Sequence, residues 1–445
     1  MTFSKERMMK RRLLSAAVAV ALSAILLQPS VAAPRGFEVW LMDQSGTAGN
    51  LHIFDQEDVR TPNAAVSEVV NLDGLCSGAV RGHMIEFNAV NSHAIISFVA
   101  TGHVLFMTAD GREAVTCIDV GAQAHAATPS PDDNLVLAAD QNGKKLHRID
   151  TDADGDGTPY EDADDISIDA AATLDLATCV TPTGAACEDP SLRPDNAPIC
   201  PIFESSSRLA FVTLRGGGLF VVDATTTPIS IVAEYDNSTI RPNGCGGVEA
   251  DGKMFVNSGG PGVSDLYSFD LSAFPESGPS GAPNSPAPTE IFSRQGGSHD
   301  GHGVALLSRE GVLWAADRFS NEIEVVDPAT DEYIRTFSLT ARASSDPAPD
   351  LIVPAPTGKL VFASLRGECP LTANSAASNN AVGNTPGLGV IRIGAGGRTG
   401  RLTGMLPVVN AAPAGFDCPA RTDDVSGTII NQADPHGIAV RSTGG

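Results

Sequence analysis

Four short stretches place a histidine behind small or polar residues and ahead of an apolar run. They are RGHMIEF, QAHAATP, DGHGVALL and DPHGIAV, containing His83, His125, His302 and His436. Neutral imidazole is a strong ligand for late first-row metals, and copper leads the affinity order. If the four runs converge, their rings can share a copper ion or another transition metal. His299, in SHDGH, is placed to add a further ligand from a loop. His52, His93, His103 and His147 fall in or beside other strand-like runs and are assigned no role.

Three arginines form a second set. Arg215, Arg318 and Arg366 each close a run of apolar residues (LAFVTLR, VLWAADR, LVFASLR), and Gln44 and Gln141 close two others. Planar guanidinium suits a small anion or carboxylate. An equally weighted alternative pairs each arginine with acids such as Asp317 or Glu368. A third set is the stretch DTDADGDGTPYE, which matches the calcium-loop pattern with Asp150, Asp152 and Asp154 in the first, third and fifth places. Gly155 stands at the sharp turn, Asp156 follows it, and Glu161 takes the twelfth place. Converging carboxylates at this spacing suit calcium, which takes six to eight oxygen ligands. A strand-like run enters this loop where a helix would stand in an EF-hand, so the expected role is structural. A solvated acidic loop is the plainer reading.

What must position these residues is a repeated unit. A strand-like token ending in Asp recurs as NLHIFD (50–55), AVTCID (114–119), KLHRID (145–150), GLFVVD (218–223), DLYSFD (265–270) and EIEVVD (322–327), with GVIRIG (389–394) as a seventh. A second token, of the VLWAADR kind, precedes most of them, and a third strand opens the unit. Units of roughly forty residues with short strands and no helical period predict an all-β, seven-bladed β-propeller. The first unit, starting FEVWLMDQ, lacks its opening strand, and PHGIAV near the C-terminus supplies it. The expected ring therefore closes by pairing the C-terminal strand with the N-terminal blade, which removes free sheet edges. In that ring the four histidines start innermost strands, and the arginines end the adjacent strands at the same mouth of the central channel. The other three blades place Ile199 and Cys200, Asn243 to Cys245, and Pro349 and Asp350 at the histidine position. A ring of polar side chains bonded to backbone across the channel explains the histidines without any metal, so both readings stand.

The N-terminus reads as a secretion signal over 1–33, with Lys5, Arg7, Lys10, Arg11 and Arg12 ahead of an apolar run at 13–27 and a small-residue cleavage site near Ala32 or Ala33. The Arg11–Arg12 pair bears a weak likeness to a twin-arginine signal. Cleavage removes five basic residues and one acid, taking the net charge from −24 to −28. Such a surface repels phosphate backbones and anionic lipid, which argues against nucleic-acid binding. The mature chain, 34–445, is expected as one propeller in the periplasm or secreted, with no membrane span. Segments at 150–198, 271–298, 367–387 and 395–434 interrupt the repeat. All eight cysteines lie in the mature part and suit disulfides. Proximity and matching unit positions suggest Cys76–Cys117, Cys179–Cys187, Cys200–Cys245 and Cys369–Cys418.

With its blade tokens and HG-type strand starts, the chain resembles the YVTN-type seven-bladed propellers. That class includes the N-terminal domain of nitrous-oxide reductase and simple periplasmic propeller proteins. The resemblance implies the fold over nearly all of the mature chain. It also points to copper at channel histidines, although this chain offers fewer of them and lacks a cupredoxin domain or a CxxCH. Two functions follow. One is an exported metal-binding propeller acting as a copper-dependent oxidoreductase on a small anionic or polar molecule at the mouth. The other is a non-catalytic scaffold, stabilised by calcium, that binds a small molecule or a protein partner there.

Overall fold

A computed structural model describes residues 36–61, 68–242, 244–274, 285–372, 381–413, 418 and 431–443. The expected signal segment lies outside them. The strands form seven four-stranded antiparallel sheets, the blades of a propeller. From the centre outward, the first blade runs Pro435–Thr443, Gly36–Asp43, Asn50–Asp55 and Glu68–Asn71, so its innermost strand comes from the far end of the chain. Val39 pairs with Val440 and Trp40 with Ala439 across this closure. The other six blades follow in chain order, with inner strands Gly82–Phe87, Ala124–Pro129, Pro198–Phe203, Gly247–Ala250, Gly301–Leu307 and Pro349–Pro354.

Burial follows the geometry of a ring of sheets. A second strand is covered on both faces by neighbouring blades, so it reads as an unbroken apolar run, and Leu135–Asp140, Leu209–Leu214 and Val312–Asp317 are buried at every position. An outer strand such as Glu332–Ser338 is open to water and carries Glu, Tyr, Arg and Thr. Trp40 and Trp314 lie fully buried between blades, where burial of one large side chain contributes about 2–3 kcal/mol. The hairpin from inner to second strand reverses through a left-handed residue in six blades: Asn91, Asp133, Ser207, Asp251, Gly311 and Gly358. Asn, Asp and Gly tolerate this conformation best.

Three of the segments that interrupt the repeat supply outer strands. Ser167–Asp175 completes the third blade, Thr289–Gln295 the fifth and Thr399–Pro407 the seventh. These strands are edge positions with mixed polarity, so their sequences carry a weaker strand signal than the inner ones. All four disulfides join the expected partners. Cys200–Cys245 links the inner strand of the fourth blade to the segment entering the fifth, and Cys369–Cys418 ties two long loops on the histidine side. Four disulfides fit an oxidising, periplasmic or extracellular setting. No helix among the described residues is long and apolar enough to cross a membrane.

Candidate functional site

One strand position builds the channel mouth. Inner and second strands begin pairing at Gly82↔Phe98, Ala124↔Asp140, Pro198↔Leu214, Gly301↔Asp317, Pro349↔Leu365 and Pro435↔Asp43. A bulge follows in each, and the first residue inside it is His83, His125, Ile199, His302, Asp350 or His436. The bulge turns this residue toward the channel. Asp350 therefore occupies the histidine position of its blade. In the fifth blade the inner strand starts late, and Cys245 precedes it.

The four predicted histidines come together. Ring centroids lie 3.8 Å apart for His83 and His436, 4.7 Å for His83 and His125, and 5.3 Å for His302 and His436. The last pair spans the seventh blade, whose Asp350 sits between them, with Oδ1 3.4 Å from His302 Nε2 and Oδ2 3.6 Å from His436 Nε2. The HG pattern has a packing cause. A Cβ on Gly437 would stand 2.4 Å from the His83 carbonyl oxygen, and one on Gly303 2.7 Å from that of Asp350. Only glycine lets neighbouring inner strands approach so closely.

Hydrogen bonding determines the protonation of His83. Gln44 Nε2 donates to Asp434 Oδ2 at 3.0 Å, and a carboxylate can only accept. Gln44 Oε1 must then face His83 Nδ1, 2.8 Å away, so Nδ1 carries the proton. His83 Nε2 is left with a bare lone pair, buried and without a hydrogen-bond partner. Both ring nitrogens of His302 and Nδ1 of His436 also lack hydrogen-bond partners. Burial pushes all four imidazole pKa values down, to about 4 for His125 and about 3 for His302. For His83 and His436 burial again dominates, followed by the neighbouring imidazoles and by Arg366 respectively. The rings are neutral at pH 7, the form that ligates metals.

Of the three arginines expected at the rim, Arg215 and Arg318 line the mouth cavity and Arg366 does not. Arg318 and Arg366 are buried, at 3% and 0% exposure, in a chain of ion pairs under the mouth. Arg318 donates from Nε to Asp300 and from Nη1 to Asp350, at 2.8 and 2.6 Å. Arg366 bridges Asp350 and Asp434, with Nε 2.6 Å from Asp434 Oδ1. Burial alone would push the Asp350 carboxyl up, but Arg366 and Arg318 outweigh it and hold it below the ordinary range. Asp434 is raised by burial to about 6, with Arg366 offsetting only part. Each of these strand-end arginines faces two buried carboxylates and turns inward, because an unpaired charge there is costly. Arg215 alone of the three stays partly exposed, paired with Asp195 and donating to Asn142 at 3.0 Å. Asp317, a considered arginine partner, bonds His299 at 2.7 Å, which holds that ring away from the four. Asp300 and Asp434 belong to the site although no strand token marks them; each stands two before its histidine, a spacing the sequence displays twice.

The resulting cavity is about 360 Å³. Its wall carries the four histidines, Gln123, Gln141, Arg81, Arg215, Arg318, Leu371 and Thr372. Cys200 Sγ lies 3.8 Å from His125 Nδ1, but its disulfide with Cys245 removes both thiolates as ligands.

The acidic loop closes in a different register from the one expected. Asp152, Asp154, Asp156 and Asp165 bring carboxylate oxygens within 4.8 Å of one another. Gly157 donates its N–H to Asp152 at 3.1 Å, so Asp152 rather than Asp150 opens the loop. Asp150 faces Arg148 instead, and Glu161 is outside the cluster. Gly155 and Gly157 both have positive φ, and D-x-D-x-D-G fits two frames, which is why the spacing misled.

No protein-family model and no curated protein matches this chain. Solved structures do match. A protein from Lactobacillus plantarum is 12% identical, with 84% of this chain and 97% of that one covered at a TM-score of 0.55. Dihydro-heme d1 dehydrogenase NirN in complex with DHE is 13% identical, with coverage of 90% and 74% and a TM-score of 0.49. The β-propeller domain of Cps50 (Swd1) from Myceliophteria thermophila is 13% identical, with coverage of 75% and 90% and a TM-score of 0.49. At 12% identity the likeness to the Lactobacillus plantarum protein is one of fold alone.

Proposed function

We propose that this is an exported propeller of the YVTN type whose channel mouth binds a transition metal, copper or zinc, through His83, His302 and His436 with Asp350. The observation that carries the reading is the grouping of His302 and His436 about Asp350, with the His83 ring 3.8 Å from that of His436, among buried imidazole nitrogens without hydrogen-bond partners. A buried polar atom left unpaired costs about 1–3 kcal/mol, and ligation offsets that cost. Neutral imidazole with one carboxylate suits copper and zinc over calcium or magnesium. His125 neighbours the set and would complete it from the third blade.

The catalytic version, copper-dependent oxidation of a small anionic or polar molecule, needs a cation to hold that molecule. Arg318 and Arg366 are buried and each held by two carboxylates, so the role falls to Arg81 and to the partly exposed Arg215, which has one carboxylate partner, Asp195. The reading of a non-catalytic scaffold needs only the metal or calcium. Calcium at Asp152, Asp154, Asp156 and Asp165 is supported by the loop's convergence and its Gly157 turn.

Elemental analysis of untagged protein from its native compartment tests the metal. Near-stoichiometric copper or zinc that is lost in His83→Ala/His436→Ala, with folding retained, supports the site. Full metal content in that double variant sinks it. Asp152→Asn/Asp156→Asn should separately remove calcium and leave the first metal in place.

A further inference from the structure

Below the histidines, the next inward-facing residues form an apolar belt of Met84, Ala126, Cys200, Leu351 and Ile438. Beyond the belt the channel widens into a second cavity of about 750 Å³ that opens on the opposite face of the disk. Its strand walls are apolar, with Met84, Leu351, Val353, Ile438 and Val440 among them. One residue breaks the pattern. Glu86, three positions along the inner strand from His83, lies on this wall with no hydrogen bond or ion pair among the described residues.

We propose that this cavity binds a small amphiphilic cation, an ammonium on an apolar body, with Glu86 as its counter-ion. The size falls in the ordinary range of small-molecule sites, and apolar strand walls with a few polar groups, here Glu86 on the strands and Asn88, Asn91, Ser308, Arg309 and Glu310 on the turns, are their usual composition. A carboxylate with no partner in apolar surroundings is unfavourable alone and is relieved by a bound cation. Burial, acting without any opposing neighbour, raises its pKa to about 7, so it is a competent anion only slightly above neutrality when the site is empty. A cation would hold it ionised. The other charged residues on the wall, Arg309 and Glu310, are one of each sign and lie on the turn that follows the inner strand Gly301–Leu307. The net charge of −24 adds attraction for cations at longer range. This site is separate from the histidine mouth and does not rest on a metal there.

Calorimetric titration of the full chain with octylammonium, octanol and octanoate tests the proposal. Octylammonium should bind tightest and octanoate weakest. Glu86→Gln should weaken octylammonium about tenfold while leaving octanol unchanged, the scale of one charge-assisted contact. Glu86→Met should abolish the preference for the ammonium and strengthen octanol. Equal binding of all three probes, no binding of any, or an ammonium preference that survives both substitutions overturns it. Thermal melts of the variants show whether the fold persists. The belt separates the two cavities, so metal content should not change in either variant.

Discussion

Gln44 Oε1 and His83 Nδ1 lie 2.8 Å apart, and this contact carries the orientation of the ion-pair chain into the histidine cluster. Asp300, Arg318, Asp350, Arg366 and Asp434 alternate in sign across three blades, and Gln44 hands that order to His83. The amide cannot flip without setting its carbonyl against the Asp434 carboxylate.

Gln44→Leu should release the His83 tautomer. Removing an outer-shell partner of a metal ligand typically lowers affinity 10–100-fold, so copper or zinc affinity should fall by about that factor. Imidazole nitrogen shifts in NMR spectra of the metal-free protein would show mixed tautomers in the variant and a single Nδ1–H form in the wild type. Unchanged shifts would break the link.

Asp350→Asn leaves two buried guanidiniums with one fewer carboxylate. The expected loss is about 3–5 kcal/mol, as for breaking a buried ion pair from one side. Chemical denaturation measures it. A loss below about 1 kcal/mol would show that Asp300 and Asp434 suffice for both arginines.

Deleting residues 435–445 removes the innermost strand of the first blade and the Val39–Val440 and Trp40–Ala439 pairs. Cooperative thermal unfolding should disappear, because the exposed edge of Gly36–Asp43 has no other strand to pair with. An unchanged melting curve would contradict closure.

His52 is buried at 6% exposure, and neither ring nitrogen has a hydrogen-bond partner. Burial depresses its pKa to about 4. The unfolded chain takes up the proton near pH 6.5 while the folded one resists until about 4, so stability falls as pH drops through that window. Linkage puts the contribution at about 3 kcal/mol. His52→Phe should flatten the slope of unfolding free energy between pH 6.5 and 4. An identical slope would place the effect elsewhere.

Much was legible in the chain itself because a propeller repeats its physics. Each blade needs the same buried second strand, and five blades end their third strand in Asp. AVTCID proves to be the outer strand of the second blade, whose third strand is His103–Thr108, yet the spacing of the tokens still marks seven blades. A headless first unit and a spare PHGIAV reveal the closure. Strand register then places His83, His125, His302 and His436 at one mouth, since equivalent positions in a ring face one axis. Three things depended on neighbours distant in sequence. Arg318 and Arg366 end their strands as Arg215 does, yet only the carboxylates presented by adjoining blades turn them inward. The acidic loop fits two frames, and Asp165, at the far end of the loop just ahead of the strand Ser167–Asp175, joins the one beginning at Asp152. Glu86 reads as an ordinary polar residue near a strand end, and only the convergence of inner strands encloses it in an apolar channel. Local pattern determines which residues share a ring position. What faces them across the ring is set by tertiary packing, because side-chain direction and pKa respond to charges that the chain brings together only on closing.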